Sequence, residues 1–136
     1  MKLSTCGSYG TRLMVDLAQH YAEGPVALKA IAERQELSVK YLEQLIIPLK
    51  TAGLIRTVRG RQGGYMLAGK PAKINVGRIL EALEGELALV DCVADSEVCG
   101  RWADCPTRNI WVKMTDLLET NLFSLSRQDI LDRTAP

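Results

Sequence analysis

Two short runs that favour strands, Leu54-Ile55-Arg56-Thr57-Val58 and Tyr65-Met66-Leu67, flank the stretch Arg59-Gly60-Arg61-Gln62-Gly63-Gly64. The first run is rich in β-branched side chains, and the stretch between them is polar, basic and glycine-rich. This reads as a two-stranded hairpin with a basic loop. Such a loop also invites a phosphate-loop reading, but that loop needs a strand before it and a helix after it. Strands flank it on both sides here, so the nucleotide site is rejected.

What precedes the hairpin is helical. Tyr9, Leu13, Leu17 and Tyr21 recur every four residues and predict a first amphipathic helix, ended by Gly24-Pro25. Leu28, Ile31 and Ala32 form the apolar stripe of a second, short helix that stops near Gln35. Glu36-Leu37 is a tight connection. Ser38 is a good N-cap for a third helix, since its hydroxyl can accept an orphan backbone N–H. That helix is expected to bury Val39, Leu42, Leu45, Ile46 and Leu49, to kink at Pro48 and to close at Gly53 as C′ residue. Helix, helix, tight turn, helix and basic hairpin is the order of a winged helix-turn-helix. The fold class is therefore mainly α with a small β-hairpin.

Beyond the hairpin, Val76, Ile79, Leu80 and Leu83 mark a fourth helix that Gly85 ends. Residues 86–105 show no period, and a stretch of that length without regular structure in a small protein is functional or disordered. From Pro106 a longer helix reappears, with Trp111, Met114, Leu118, Leu122 and Leu125 on one stripe; residues 126–136 read as a frayed terminal turn and tail. The division that follows is 1–75 for the winged helix-turn-helix, 76–90 for a connecting helix, 91–106 for a cysteine-containing loop, which the resemblance drawn below makes cluster-binding, and 107–136 for a dimerisation helix and tail.

Charge is divided along the same line. The whole chain carries 17 Lys/Arg against 16 Asp/Glu. Residues 1–73 hold eleven of these basic residues and five of the acidic ones; residues 74–136 hold six and eleven. A basic front half suits a polyanion, because each phosphate contact releases counterions. The third helix can enter the major groove amino-terminal end first, presenting Ser38, Lys40, Tyr41, Glu43 and Gln44. Gln can pair with adenine, Glu can accept from cytosine, and Ser and Tyr can reach phosphate. Arg59 and Arg61 beside flexible glycines suit a minor groove or a phosphate backbone.

The opening Met1-Lys2-Leu3-Ser4-Thr5 has no apolar core of a secretory signal, and no apolar run reaches the length of a membrane span. The expected location is the cytoplasm, where thiols stay reduced, so the four cysteines point to metal or redox chemistry. Cys92, Cys99 and Cys105 are spaced C-x6-C-x5-C and can converge on a soft metal centre. Cys105 sits just before Pro106 and the long helix, whose dipole favours thiolate. The close C-x2-C pairs of structural zinc are absent. Cys6 is either a fourth ligand reaching across a dimer or a small residue capping the first helix. His20 reads as a residue of a helix carboxy-terminal turn. No paired acid/base set or nucleophile–histidine set points to an enzyme.

About 47% of the residues are apolar, enough for a packed core, but a core of this size is marginal alone and predicts a partner subunit. The stripe of the last long helix is the expected seam of a homodimer, which would set two recognition helices one DNA turn apart. A protein of another class, an iron–sulphur carrier or scaffold with no operator, would share the cysteines but not the wing.

The chain resembles the IscR-like transcriptional regulators, the winged-helix superfamily that also holds NsrR-like nitric-oxide sensors and CymR-like regulators of cysteine metabolism. The residues that carry the resemblance are Met1-Lys2-Leu3-Ser4-Thr5 with Gly7 and Tyr9, Ser38-Val39-Lys40-Tyr41-Leu42-Glu43-Gln44-Leu45, Gly53-Leu54-Ile55, Val58-Arg59-Gly60 with Gly63-Gly64-Tyr65, and the three spaced cysteines. The resemblance implies a homodimer with a long dimerisation helix at about 106–123, operator contacts from Ser38–Gln44 and Arg59, and an iron–sulphur cluster on Cys92, Cys99 and Cys105 whose occupancy changes DNA binding. It implies a [2Fe–2S] cluster rather than [4Fe–4S]. Where IscR-like proteins place a histidine ligand this chain has Arg108, which cannot ligate iron while charged. The fourth ligand is left open among Cys6 or Glu43 of the partner subunit, a water or an exogenous thiol.

Overall fold

The computed structural model describes residues 2–134. The first helix, α1 (Thr5–Gln19), is capped by Ser4, whose hydroxyl accepts the Gly7 N–H at 3.1 Å. It stops short of Gly24-Pro25, and a single 3-10 turn (Tyr21–Glu23) fills the gap. α2 (Leu28–Gln35) buries Ile31 and Ala32 and ends where Glu36 turns left-handed at φ 55°. That reversal lets the Leu37 N–H reach back to the Ala32 carbonyl at 3.0 Å. Ser38 then caps α3 (Val39–Thr51) by accepting the Tyr41 N–H, as expected from the sequence.

α3 buries Leu42, Leu45, Ile46 and Leu49. Val39, expected in the core, is 39% exposed, because it opens the helix on the side that no neighbouring element covers. α3 continues through Pro48 to Thr51 and closes with two reversed bonds, Gly53 N–H to Lys50 O and Leu54 N–H to Leu49 O, both 3.0 Å. The hairpin follows: β1 (Ile55–Val58) and β2 (Gly64–Leu67) pair antiparallel, with Ile55 opposite Leu67 and Val58 opposite Gly64. Val26 adds a further pairing, exchanging both backbone bonds with Tyr65 at 2.9 Å. The wing is thereby fastened to the segment that leads into α2.

α4 (Val76–Glu84) is capped by Asn75 and lies against α1. The approach is close because Gly10 has no side chain; a Cβ there would run into Leu83. Leu13, Met14, Leu17, Ile31, Leu42, Leu45, Leu49, Leu67 and Ile79 form one core from α1, α2, α3, β2 and α4.

The stretch 86–105 is not devoid of regular structure, as the missing period suggested. It holds α5 (Asp91–Ala94) and a 3-10 turn (Ser96–Val98), elements too short to show a period. α6 (Arg108–Ser124) is the expected long helix. The expected frayed tail is instead α7 (Arg127–Thr134), which packs on α1 and on the 3-10 turn Pro71–Lys73. Its start is fixed by Ser126, which donates through its hydroxyl to the Asp129 carboxylate and accepts the Asp129 N–H. The end of α6 and the start of α4 are tied by the Val76 N–H to Leu125 O bond at 2.9 Å.

α6 turns Thr115 inward and leaves Ile110, Trp111, Met114 and Leu117 exposed. Beside it runs a groove of about 570 Å³ lined by Leu3, Leu80, Leu87, Leu118 and Leu122 among others. Among the described residues no helix is long and apolar enough to cross a membrane.

Candidate functional site: a nucleic-acid interface and a cysteine segment

The interface is built on α3. Lys40, Glu43 and Gln44 are exposed on the face opposite the core residues Leu42, Leu45, Ile46 and Leu49. Ser38 uses its oxygen as acceptor within the cap, which leaves its hydroxyl proton free for an outside acceptor. Tyr41 is placed differently from these. It is half-buried and meets Tyr9 of α1 edge to face, with ring centroids 6.0 Å apart. Burial, then the neighbouring Cys6 and Tyr9, push its phenol above the ordinary value. Tyr41 therefore braces α3 against α1. Arg59 and Arg61 are exposed in the loop of the wing, where Gly63 N–H closes on Gly60 O at 3.0 Å. Lys50 and Arg56, which no motif in the sequence marks, are exposed as well.

A polar network holds α2 in place behind this surface. Asp16 is 1% exposed on α1 and accepts two bonds from Arg34, Nη2 to Oδ1 at 2.6 Å and Nε to Oδ2 at 3.0 Å. Gln35 Nε2 adds a third at 2.8 Å. His20, at the end of α1 as expected, points Nδ1 at the Asp16 carbonyl, 2.8 Å away. Arg12 donates to the Gln35 carbonyl at 2.8 Å. Burial alone would raise the Asp16 carboxyl; the bonds from Arg34 and Gln35 and the charges of Arg34 and His20 outweigh it and hold it below the ordinary carboxylate value. One signal for this network was present in the sequence: an acidic residue adjoining the apolar stripe of α1.

Cys92, Cys99 and Cys105 lie between α4 and α6 along the chain. Cys92 is within α5, Cys99 follows the 3-10 turn, and Cys105 precedes the Thr107 cap of α6. All three are free and partly buried. Cys105 is drawn towards the thiolate: the Thr107 hydroxyl, at 3.3 Å, followed by backbone N–H groups of Thr107 and Arg108 and the charge of Arg101, lower its pKa against burial. Arg108 stacks on Trp102, its guanidinium carbon 4.0 Å from the ring centroid. Cys6 is held elsewhere. Its thiol points to the Leu83 carbonyl at 3.8 Å, and burial, then Glu84, raise its pKa. Glu43 is exposed on α3.

The donor chemistry of the segment suits a soft metal centre: three free thiols on one short stretch. Their placement within the single chain does not assemble one. Among the described residues no three His, Cys, Asp or Glu side chains come together as a metal-holding group. Thus the fold gathers the candidate DNA-contacting residues on α3 and the wing, while the thiols share a segment without converging.

The sequence matches the family model described as "Rrf2: Iron-dependent Transcriptional regulator" over residues 3–133. It is 39% identical to the HTH-type transcriptional regulator CymR of Bacillus subtilis, over 98% of this chain and 92% of the relative. It is 44% identical to Protein rrf2 of Nitratidesulfovibrio vulgaris, over 96% of this chain and 87% of that one. Among solved structures it resembles CymR (YrzC), the global cysteine regulator of B. subtilis, with a TM-score of 0.83 at 38% identity and 98% coverage of both chains. It likewise resembles T. potens IscR, with a TM-score of 0.80 at 46% identity, covering 98% of this chain and 88% of that one. The winged helix-turn-helix fold and these matches agree along nearly the full length, and the chain belongs to the Rrf2 family of helix-turn-helix transcriptional regulators.

Proposed function

We propose that the chain is a cytoplasmic homodimeric repressor that binds an operator through α3 and the wing and senses iron–sulphur cluster status through Cys92, Cys99 and Cys105. Its expected targets are genes of cluster assembly. The observation that carries the reading is the pairing of an exposed polar α3 face and two wing arginines with three free thiols placed just ahead of α6. The exposed apolar side chains of α6 and the adjoining groove support a second copy as partner. The bound group would be held by the three thiols, [2Fe–2S] in preference to [4Fe–4S], with Cys6 or Glu43 of a second copy as the candidate fourth ligand. It would supply a centre sensitive to iron supply and oxidants. Arg108 stacks on Trp102 at the start of α6, and a charged guanidinium is no ligand for iron.

The absorption spectrum of anaerobically prepared protein is the decisive test. A visible cluster band is expected, and Cys99→Ala should bleach it while DNA binding of the metal-free form survives. A colourless, iron-free protein after reconstitution would overturn the sensor reading and leave DNA binding intact. Arg59→Ala should weaken operator binding about tenfold, lower the dependence of log K on log salt by about one, and leave the spectrum unchanged. An unaltered salt slope would remove Arg59 from the phosphate contacts.

A second reading within the family is a nitric-oxide or thiol-redox switch on the same cysteines, favoured by the likeness to a protein described as a global cysteine regulator. Loss of the cluster on nitric oxide treatment with matching operator release would support the nitric-oxide form. Operator release from metal-free protein on thiol oxidation would support the redox form. A carrier or scaffold would instead give only salt-sensitive, sequence-blind binding in a footprint.

A further inference from the structure

We propose that Val39 and Ile47 are specificity-determining residues that read thymine 5-methyl groups on either side of the base contacted by Glu43. The inference rests on the operator-binding reading above.

Ile47 is 65% exposed, more than any other large apolar side chain noted as exposed among the described residues. Leu3 and the exposed apolar residues Ile110, Trp111, Met114 and Leu117 belong to the surface along α6, which a second copy would cover. Val39 and Ile47 do not. They stand on α3, Ile47 on the face turned away from Leu42, Leu45, Ile46 and Leu49 and Val39 at the uncovered amino-terminal edge of the core stripe, both beside the exposed Lys40, Glu43, Gln44 and Lys50. An apolar side chain on a surface that meets DNA is matched only where the ligand offers an apolar feature. The major groove offers one, the thymine methyl.

The spacing fits. Val39, Glu43 and Ile47 are four residues apart, so they form one row along the helix, each about 6 Å from the next. Both apolar members are β-branched, with one strongly preferred χ1 in a helix, so they meet the groove without losing much rotamer freedom. The backbone at Ile47 is also fixed, because the Thr51 hydroxyl donates to its carbonyl at 2.9 Å and Pro48 follows it. In this row Glu43 accepts from a cytosine amino group, and the flanking side chains each cover a methyl.

The test uses the full chain and a duplex that it enriches itself from a randomised library. Each thymine of that duplex is replaced in turn by deoxyuridine, which removes the methyl and leaves the pairing edge. Each contacted thymine should lose roughly three- to fivefold in affinity, the value of one buried methyl. In Ile47→Ala the penalty at one position should vanish, and in Val39→Ala that at another, with circular dichroism unchanged in both. Uracil neutral at every position, or penalties that persist in both variants, would overturn the proposal while leaving operator binding in place. Failure to enrich any duplex would overturn the operator reading itself, and this inference with it.

Discussion

Gly64→Ala is expected to cost about 3 kcal/mol of folding stability and to weaken operator binding about tenfold or more. Two causes act at the same residue. Gly64 has φ 156°, a region that side-chain-bearing residues rarely enter, and an added Cβ would collide with the Val26 carbonyl. That carbonyl is no flexible side-chain tip. It is the acceptor of the Tyr65 N–H, in the pairing that fastens the wing to the lead-in of α2. The variant must give up either β2 or this pairing, and Arg59 and Arg61 lose their fixed position relative to α3 in both cases. Urea unfolding measures the first loss and operator titration the second. Gly69→Ala is the control, since nothing lies within 4 Å of a Cβ there. Equal stability of the two variants would show that the wing is not held through Val26.

The second large effect is expected at Asp16. Asp16→Ala removes the acceptor of three bonds from Arg34 and Gln35 and leaves a hole in the α1–α2 contact. Because Arg34 is itself 36% exposed and can turn to water, the loss is set at about 2–3 kcal/mol, below that of a fully buried pair. The sign of the pH dependence follows from the lowered carboxyl. Stability from this group is fully present above the unfolded carboxylate value of about 4 and is lost as pH falls through the lower folded value. Wild type should therefore lose stability on acidification below pH of about 4 more steeply than Asp16→Asn. Identical slopes for the two proteins, followed by thermal unfolding, would remove Asp16 from the acid response.

The parts legible in the sequence are those governed by neighbours in the chain. The Ser38 cap, the Gly53 closure and the hairpin are local chemistry, and each stands where the residues indicate. Val39 was misplaced because an apolar residue at the start of a helix does not reveal which neighbour covers it. α7 went unread because its residues are mostly polar, and its place depends on packing against α1. The signal that was present is local, a serine followed three residues later by an aspartate that caps it. The Asp16 network is tertiary, joining residues 18 and 19 positions apart. The spacing of the cysteines can be read off the chain, but convergence cannot: it depends on what the thiols hold and on what a second copy brings.

The bond between Val76 and Leu125 ties the carboxy-terminal end of α6 to the start of α4. One end of its 17 residues is pinned to the start of α4, and through α4 to α1; the other end carries Arg108 and follows Cys105. A helix of that length has an arm of about 25 Å. A swing of only 5° about the pinned end would carry the cysteine end through about 2 Å, on the same arm. Read in reverse, a shift of about 2 Å at Cys105 corresponds to no more than about a 5° turn of α6 against α4.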